Sequence, residues 1–228
     1  VNTIENPTTS DYYWTMNRYS SSSVRSVLSG GSLDSVSLRF AFGVRAVIYL
    51  KSGTSAITFT GGEGTAQSPY ELPKTLINTL LEQYSDDNTT GLVKDSTNEN
   101  LYYYKGTNEQ VSNNFLWYGG HQWRVLEFDT SAKTLTLITQ QPLTAIQPAR
   151  SVWTTQSAYE SSYINQWLND YFYNSLDSSI QSNIQKTTFN VGIYTNVGEI
   201  KTEQKVGLLD EEQYKKAGST NSFLDIKD

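Results

Sequence analysis

Few residues in this 228-residue chain are of a type that does chemistry, and their spacing limits what that chemistry could be. There is one histidine, His121, beside Gly119-Gly120, and no cysteine. A catalytic histidine needs a positioned partner, and no nucleophile motif surrounds His121, so a structural or incidental role is expected. Without cysteine, neither disulfides nor thiolate metal sites are available. Glu160 and Asp170 are the carboxylates that would suit a glycosidase pair, with Trp117, Trp123 or Trp153 stacking on sugar. Ten residues along a helix separate them by about 15 Å. That is too far for either glycosidase geometry unless another segment supplies the partner. Asp86-Asp87-Asn88 lacks the alternating spacing of a calcium loop. Gly61-Gly62-Glu63-Gly64-Thr65 has neither the lysine nor the strand-to-helix setting of a phosphate-binding loop, and its glycines suit a tight turn at positive φ. No catalytic residue, no metal ligand and no cofactor are expected, and the chain reads as a non-enzyme.

Side chains better suited to recognition lie between Asn17 and Arg39. Asn17, Tyr19, Ser21, Ser22, Arg25, Asp34, Ser37 and Arg39 combine contact area with adaptable hydrogen bonding, as binding surfaces do. An ordinary solvated face of a serine-rich protein has the same appearance. The elements that would hold these residues are set by the apolar pattern. Val24, Val27 and Leu28 precede Gly30-Gly31, and Leu33, Val36, Leu38 and Phe40 come after it, which predicts paired strands on tight turns. Val44 to Leu50 is rich in β-branched residues and fits a buried central strand. Further strands are expected at Ala56–Phe59, Leu101–Gly106, Asn114–Asp129 with a turn at Gly119-Gly120, Thr134–Thr139, Phe189–Tyr194 and Lys205–Leu209.

Helices are expected near Pro73 to Tyr84, with Leu76, Ile77, Leu80, Leu81 and Tyr84 as the apolar face. A second covers 158–176, with Tyr163, Ile164, Trp167, Leu168, Tyr171 and Phe172 on one stripe. A third runs from Asp177 to Gln185, and a fourth is capped by Asp210 and stopped by Gly218. Residues 140–157 read as a loop.

Composition narrows the function class. The length allows one large domain, or one plus a small module. A net charge of −6 argues against unaided binding of nucleic acid. No run approaches the roughly 20 apolar residues of a membrane span. No signal peptide is read, so Val1 reads as the start of a mature or excised fragment. Sparse charge with abundant Ser, Thr, Asn, Gln and Tyr is common among extracellular adhesins and fibre subunits.

The motif Trp14-x-x-x-Arg18-Tyr19-Ser20-Ser21-Ser22-x-Val24-Arg25-x-Val27, then Gly30-Gly31-Ser32-Leu33, then Gly43-Val44-Arg45-Ala46-Val47-Ile48 resembles the closing segment of a domain family of unknown function. That family occurs in Gram-positive surface and pilin-like proteins and is similar in turn to the C-type-lectin-like fold. Thr60-Gly61-Gly62-x-Gly64-Thr65-x-x-x-Pro69-Tyr70-x-Leu72 resembles the way a copy of that domain ends. The stretches 117–126, 162–174 and 205–218 resemble its opening and middle, in order. The order of the two parts is reversed here, because the closing segment comes first. The resemblance therefore implies three parts: a closing segment at 1–72, a helical linker at 73–89, and an opening and middle segment at 90–228. Residues 223–228 are the part that in the family leads into Tyr12-Tyr13-Trp14.

The implied fold class is α+β: a C-type-lectin-like mixed sheet with flanking helices, permuted or split between neighbouring units. The chain would be a self-closed permutant, one unit of a tandem array, or a subunit whose first part completes its neighbour. The last case implies head-to-tail self-association through Trp14, Val44, Val47, Ile48 and Leu50, because a sheet lacking that strand exposes its edge and propagates. The resemblance implies an extracellular, cell-surface structural or adhesive protein with an unknown protein or glycan ligand. A monomeric ligand-binding module and a carbohydrate-active hydrolase are the alternatives. Calcium-dependent sugar binding is not implied, since Gln147-Pro148 is followed by Ala149 and Trp167 by Leu168. The formylglycine-generating oxidases of the same broad fold use cysteines, which this chain lacks.

Overall fold

The computed structural model describes residues 12–20, 22–51, 58–73, 76–150, 153–194, 198–218 and 221–225. The fold is α+β, mostly sheet with short helices. Strands β1 (Tyr13–Arg18), β2 (Ser23–Val27) and β3 (Leu33–Ser37) form an antiparallel meander. Its second turn uses Gly30 and Gly31 at φ 84° and 76°, a conformation that side chains rarely adopt. β4 (Phe42–Val44) then returns parallel to β1, with Gly43 opposite Tyr13.

The run expected as one central strand over Val44 to Leu50 is two strands in two sheets. Val44 ends β4, and β5 (Val47–Lys51) begins in the next sheet. Arg45 and Ala46 make the passage. The buried Arg45 side chain donates to Thr139 O (Nε, 2.8 Å) and Leu224 O (Nη1, 2.6 Å). A change of sheet leaves no mark on an apolar run, since every residue around it is buried on either side.

β6 (Thr58–Gly61) pairs with β7 (Tyr70–Pro73), and α1 (Leu76–Leu81) comes next. Of the strand expected at Ala56–Phe59, residues 56 and 57 lie outside the described residues. Pro73 closes β7 opposite Thr58 instead of opening the helix. Proline is tolerated at both places because neither requires its missing N–H. β8 (Gly91–Lys94) and β9 (Leu101–Lys105) lead to the hairpin of β10 (Phe115–Tyr118) and β11 (His121–Asp129). β12 (Thr134–Thr139) continues after the turn at Asp129. The expected loop at 140–157 contains β13 (Thr144–Ile146), paired with β4, and the start of α2 (Gln156–Glu160).

The long helix expected over 158–176 is a chain of short pieces: α2, α3 (Tyr163–Gln166), a π-helical stretch over Trp167–Phe172, and α4 (Tyr173–Ser175). A π turn inserts an extra residue and rotates the residues after it off the α-helical stripe. Ile164, Leu168 and Phe172 stay buried, whereas Tyr171 is 67% exposed. The stretch also places Asn169 against the edge of the sheet. Its amide donates to Val206 O (2.9 Å) and accepts from Val206 N (3.1 Å). α5 (Ser178–Gln181) is shorter than expected.

β14 (Thr187–Tyr194) pairs with β15 (Gly198–Gln204) as a separate ribbon. β15 was not foreseen because Gly-Glu-Ile-Lys-Thr-Glu-Gln carries little apolar pattern. β16 (Val206–Gly207) and α6 (Glu211–Lys216) complete the elements. α6 opens on a full capping box between Asp210 and Gln213, and Gly218 lies just beyond it at φ 110°.

The larger sheet runs β16-β5-β12-β11-β10-β7-β6, with β9 and β8 attached along β11. β11 keeps β12 on one edge and shares the other: β10 pairs with its first half and β9 with its last residues. The smaller sheet runs β13-β4-β1-β2-β3. Residues 12–73 are thus interleaved with the rest of the same chain through β5–β12, β4–β13 and β7–β10 pairings.

Candidate ligand-binding face

Burial falls across the meander: β1 is covered on both faces, while β2 and β3 are partly open. Tyr13, Trp14, Met16, Val24 and Val27 are fully buried. Two of them are fixed by polar atoms as well. The Trp14 indole N–H donates to Ile146 O (3.0 Å), and the Tyr13 hydroxyl donates to Leu224 O (3.2 Å). A buried indole or phenol needs such a partner, and here the partners lie 132 and 211 residues away in sequence. The scaffold beneath the face is therefore rigid on physical grounds.

The residues expected to meet a ligand do not form one group. Tyr19 is 56% exposed, with the Arg25 guanidinium 4.2 Å from its ring centroid. Arg25 also pairs with Glu211 at 3.5 Å. Ser22, Asp34 and Arg39 are exposed. Asp34 accepts from Ser35 N (2.7 Å), and the half-buried Ser37 accepts from Arg39 N (3.4 Å). The register sets Arg25 opposite Ser35 and Asp34 opposite Ser26, so Arg25 and Ser37 lie on one face of the β2–β3 hairpin and Asp34 on the other, with Tyr19 and Arg39 in its flanks. Asn17 is used otherwise: its side-chain oxygen accepts from Glu211 N (2.5 Å) and ties β1 to the first turn of α6. Ser21 lies outside the described residues.

An aromatic row beside this face escaped the sequence reading. Phe42 stacks with Tyr12 (5.2 Å), Trp14 (4.8 Å) and Phe40 (6.2 Å), all within 26° of parallel. Phe40, expected at a strand core position, is 56% exposed. β3 ends at Ser37 and the chain turns over 38–41, so the alternation that would bury Phe40 no longer applies. Phe40 and Phe42 are neighbours in sequence, but their meeting with Tyr12 and Trp14 is a tertiary effect with no local signal.

The residues expected to drive assembly are interior in this chain. Trp14, Val44, Val47 and Ile48 are fully buried and Leu50 is 1% exposed. Val47, Ile48 and Leu50 sit on β5, which has β12 on one side and β16 on the other.

The residues weighed for catalysis are dispersed. His121 is half-buried against Phe172 (5.4 Å) and Trp123 (6.4 Å), and burial pulls its pKa down. Glu160 accepts from Gln156 Nε2 (2.8 Å) and Thr202 Oγ1 (3.0 Å), while Asp170 is exposed on the π-helical stretch. Trp123 and Trp153 are buried, and Trp117 is 49% exposed. Among the described residues no group of three or more His, Cys, Asp or Glu could hold a metal ion. No helix among them is long and apolar enough to cross a membrane.

Comparison with known families matches residues 133–223 to a family described as a domain of unknown function, DUF6273. The matched stretch is less than half of the chain; it runs from the end of the β11–β12 turn to Phe223 and contains the π-helical stretch, the β14–β15 ribbon and α6. No curated protein and no solved structure matches the chain. Over residues 133–223, then, the chain is similar to a domain whose function is unknown.

Proposed function

We propose that this chain is a non-catalytic module of a bacterial cell surface, of the C-type-lectin-like kind, that offers the β2–β3 hairpin and its flanks to a protein or glycan ligand. The observation that carries this reading is the contrast along residues 13–39. Tyr13, Trp14, Met16, Val24 and Val27 are buried, with Tyr13 and Trp14 anchored to distant backbone, while Tyr19, Ser22, Asp34 and Arg39 are exposed on that frame. Binding surfaces gain affinity from residues that need no ordering on contact. The test is surface plasmon resonance of the immobilised chain against purified cell-wall polysaccharides and extracellular-matrix proteins. Tyr19→Ala and Arg39→Ala are expected to weaken any binding seen by the wild type. Binding that ignores both substitutions would move the ligand elsewhere.

A second reading is assembly into a Gram-positive surface fibre, head to tail. What favours it is that residues 12–73 are held to the remainder by strand pairing and buried side chains. The covalent path between the two parts runs only through α1 and the residues around it. The same pairings made between copies would extend into a filament. Light scattering after size exclusion separates the readings. One species near 25.6 kDa at all concentrations supports the self-closed module, and concentration-dependent ladders support exchange.

A further inference from the structure

We propose that the hollow where α2 meets the β14–β15 ribbon is a binding site for a neutral, hydroxyl-rich ligand such as a short sugar. The hollow has a volume of about 380 Å³, within the range of small-molecule sites, roughly 300–1,000 Å³. Glu160, Lys186, Thr188, Lys201, Thr202 and Glu203 line it, together with Gln156. None of these is apolar, so an aromatic or lipid ligand would strand polar groups without partners. Two ammonium groups face two carboxylates, so a charged ligand meets as much repulsion as attraction. Hydroxyl groups suit this lining, because each donates to a carboxylate and accepts from an ammonium.

The carboxylate at the centre is held in place. Glu160 Oε1 accepts from both Gln156 Nε2 (2.8 Å) and Thr202 Oγ1 (3.0 Å). Thr202 is 1% exposed and is itself fixed by the Gln204 amide (3.1 Å). α2 is pinned at both ends: Thr155 caps its start by accepting from Ala158 N, and Asn165 Nδ2 donates to Glu160 O (2.9 Å). A carboxylate so placed costs little to order when a ligand arrives. The lysines differ. Lys186 pairs with Glu203 at 3.4 Å and Lys201 with Glu199 at 2.8 Å, all on exposed side chains. Exposed pairs are weak, so both ammonium groups are able to turn toward a ligand.

The site is separate from the β2–β3 hairpin and is tested on the full chain by titrating isotope-labelled protein and monitoring amide shifts. The neutral probes are maltose, cellobiose and N,N′-diacetylchitobiose, and glucuronate and glucosamine are the charged controls. At least one neutral disaccharide is expected to give saturable shifts centred on Thr188, Lys201 and Thr202. Glu160→Gln should weaken that binding about tenfold, the loss expected for one hydrogen bond to a charged group. Thr188→Val should weaken it several-fold, and Glu99→Gln, remote from the hollow, should leave it unchanged. Absence of saturation with all three neutral probes, shifts centred elsewhere, or tighter binding of a charged control would overturn the proposal. The wild-type titration decides even where a variant folds poorly.

Discussion

Arg45 and Arg124 are both buried, at 1% and 0% exposure, and they are satisfied in opposite ways. Arg45 reaches across the sequence. Its bonds to Thr139 O and Leu224 O span 94 and 179 residues, and its guanidinium lies over the Tyr13 ring at 4.9 Å. The buried Asp225 acts on it as an opposing charge, and Asp225 in turn accepts from the Tyr214 hydroxyl (3.0 Å). Arg124 stays local. It donates to Asn114 Oδ1, Asn108 Oδ1 and Val111 O, all within 16 residues, between the rings of Phe115 (4.0 Å) and Phe223 (4.8 Å). Burial pulls its pKa down to about 9, with Arg45 adding to the effect, and it remains charged at neutral pH. The first arginine bonds the N-terminal segment to the C-terminal turn, and the second bonds one loop while Phe223 of that turn covers it. Burial alone does not say which of these a charge does, whereas the sequence distance of its partners does.

The strongest way to break this contrast is Arg45→Met. Removing one member of a buried charge set costs about 3–5 kcal/mol. Urea unfolding should show that loss, and hydrogen exchange should rise in both β5 and residues 221–225. Asp225→Asn added to Arg45→Met should recover part of it, since charge partners in contact are non-additive. Arg124→Met should cost less, about 1–3 kcal/mol for buried acceptors left without donors. Its exchange effect should centre on residues 107–115, with a smaller rise at Phe223. If Arg124→Met loosened β5 instead, the local role assigned to it would fail.

Two carboxylates sharpen the comparison through pH. Lys216, Thr97 and backbone N–H groups hold the Asp95 carboxyl below its ordinary range. That stability is present above the unfolded pKa, near 3.8, and is lost as pH falls through the folded value. Glu127 runs the other way, because burial raises its pKa against the Gln213 and Thr136 hydrogen bonds. Its contribution is full below the unfolded value of 4.5 and is lost as pH rises through the folded one. Glu127→Gln should thus stabilise the protein at pH 7, where the carboxyl otherwise ionises in a buried setting. It should make little difference at pH 4. Asp95→Asn should flatten the acid side of the stability profile measured by thermal melts. The smallest effects belong to the exposed face. Tyr19→Ala and Arg39→Ala should change stability by no more than about 0.5 kcal/mol, which leaves any loss of binding free of a folding artefact.

The face was partly legible in the sequence. Tyr19, Ser22, Asp34 and Arg39 are exposed, but Asn17 is engaged by Glu211. Nothing in residues 13–18 announces that Asn17 meets α6, because that contact spans 194 residues. The hollow at Glu160 was not legible either. β15 supplies three of its seven lining residues and has little apolar pattern to mark it as a strand.

By itself the sequence determined the local devices: the turn at Gly30-Gly31, the β10–β11 hairpin on Gly119-Gly120, the β11–β12 hairpin, and the Asp210–Gln213 capping box. Each depends on residues within a few positions of one another, so composition and spacing suffice. Only the tertiary structure decided that the Val44–Leu50 run is split between two sheets, that Tyr171 and Phe40 face solvent, and that Arg45 is interior. Those outcomes depend on which distant groups meet. A guanidinium with two carbonyls and an aromatic face around it can be buried, and one without them stays in water.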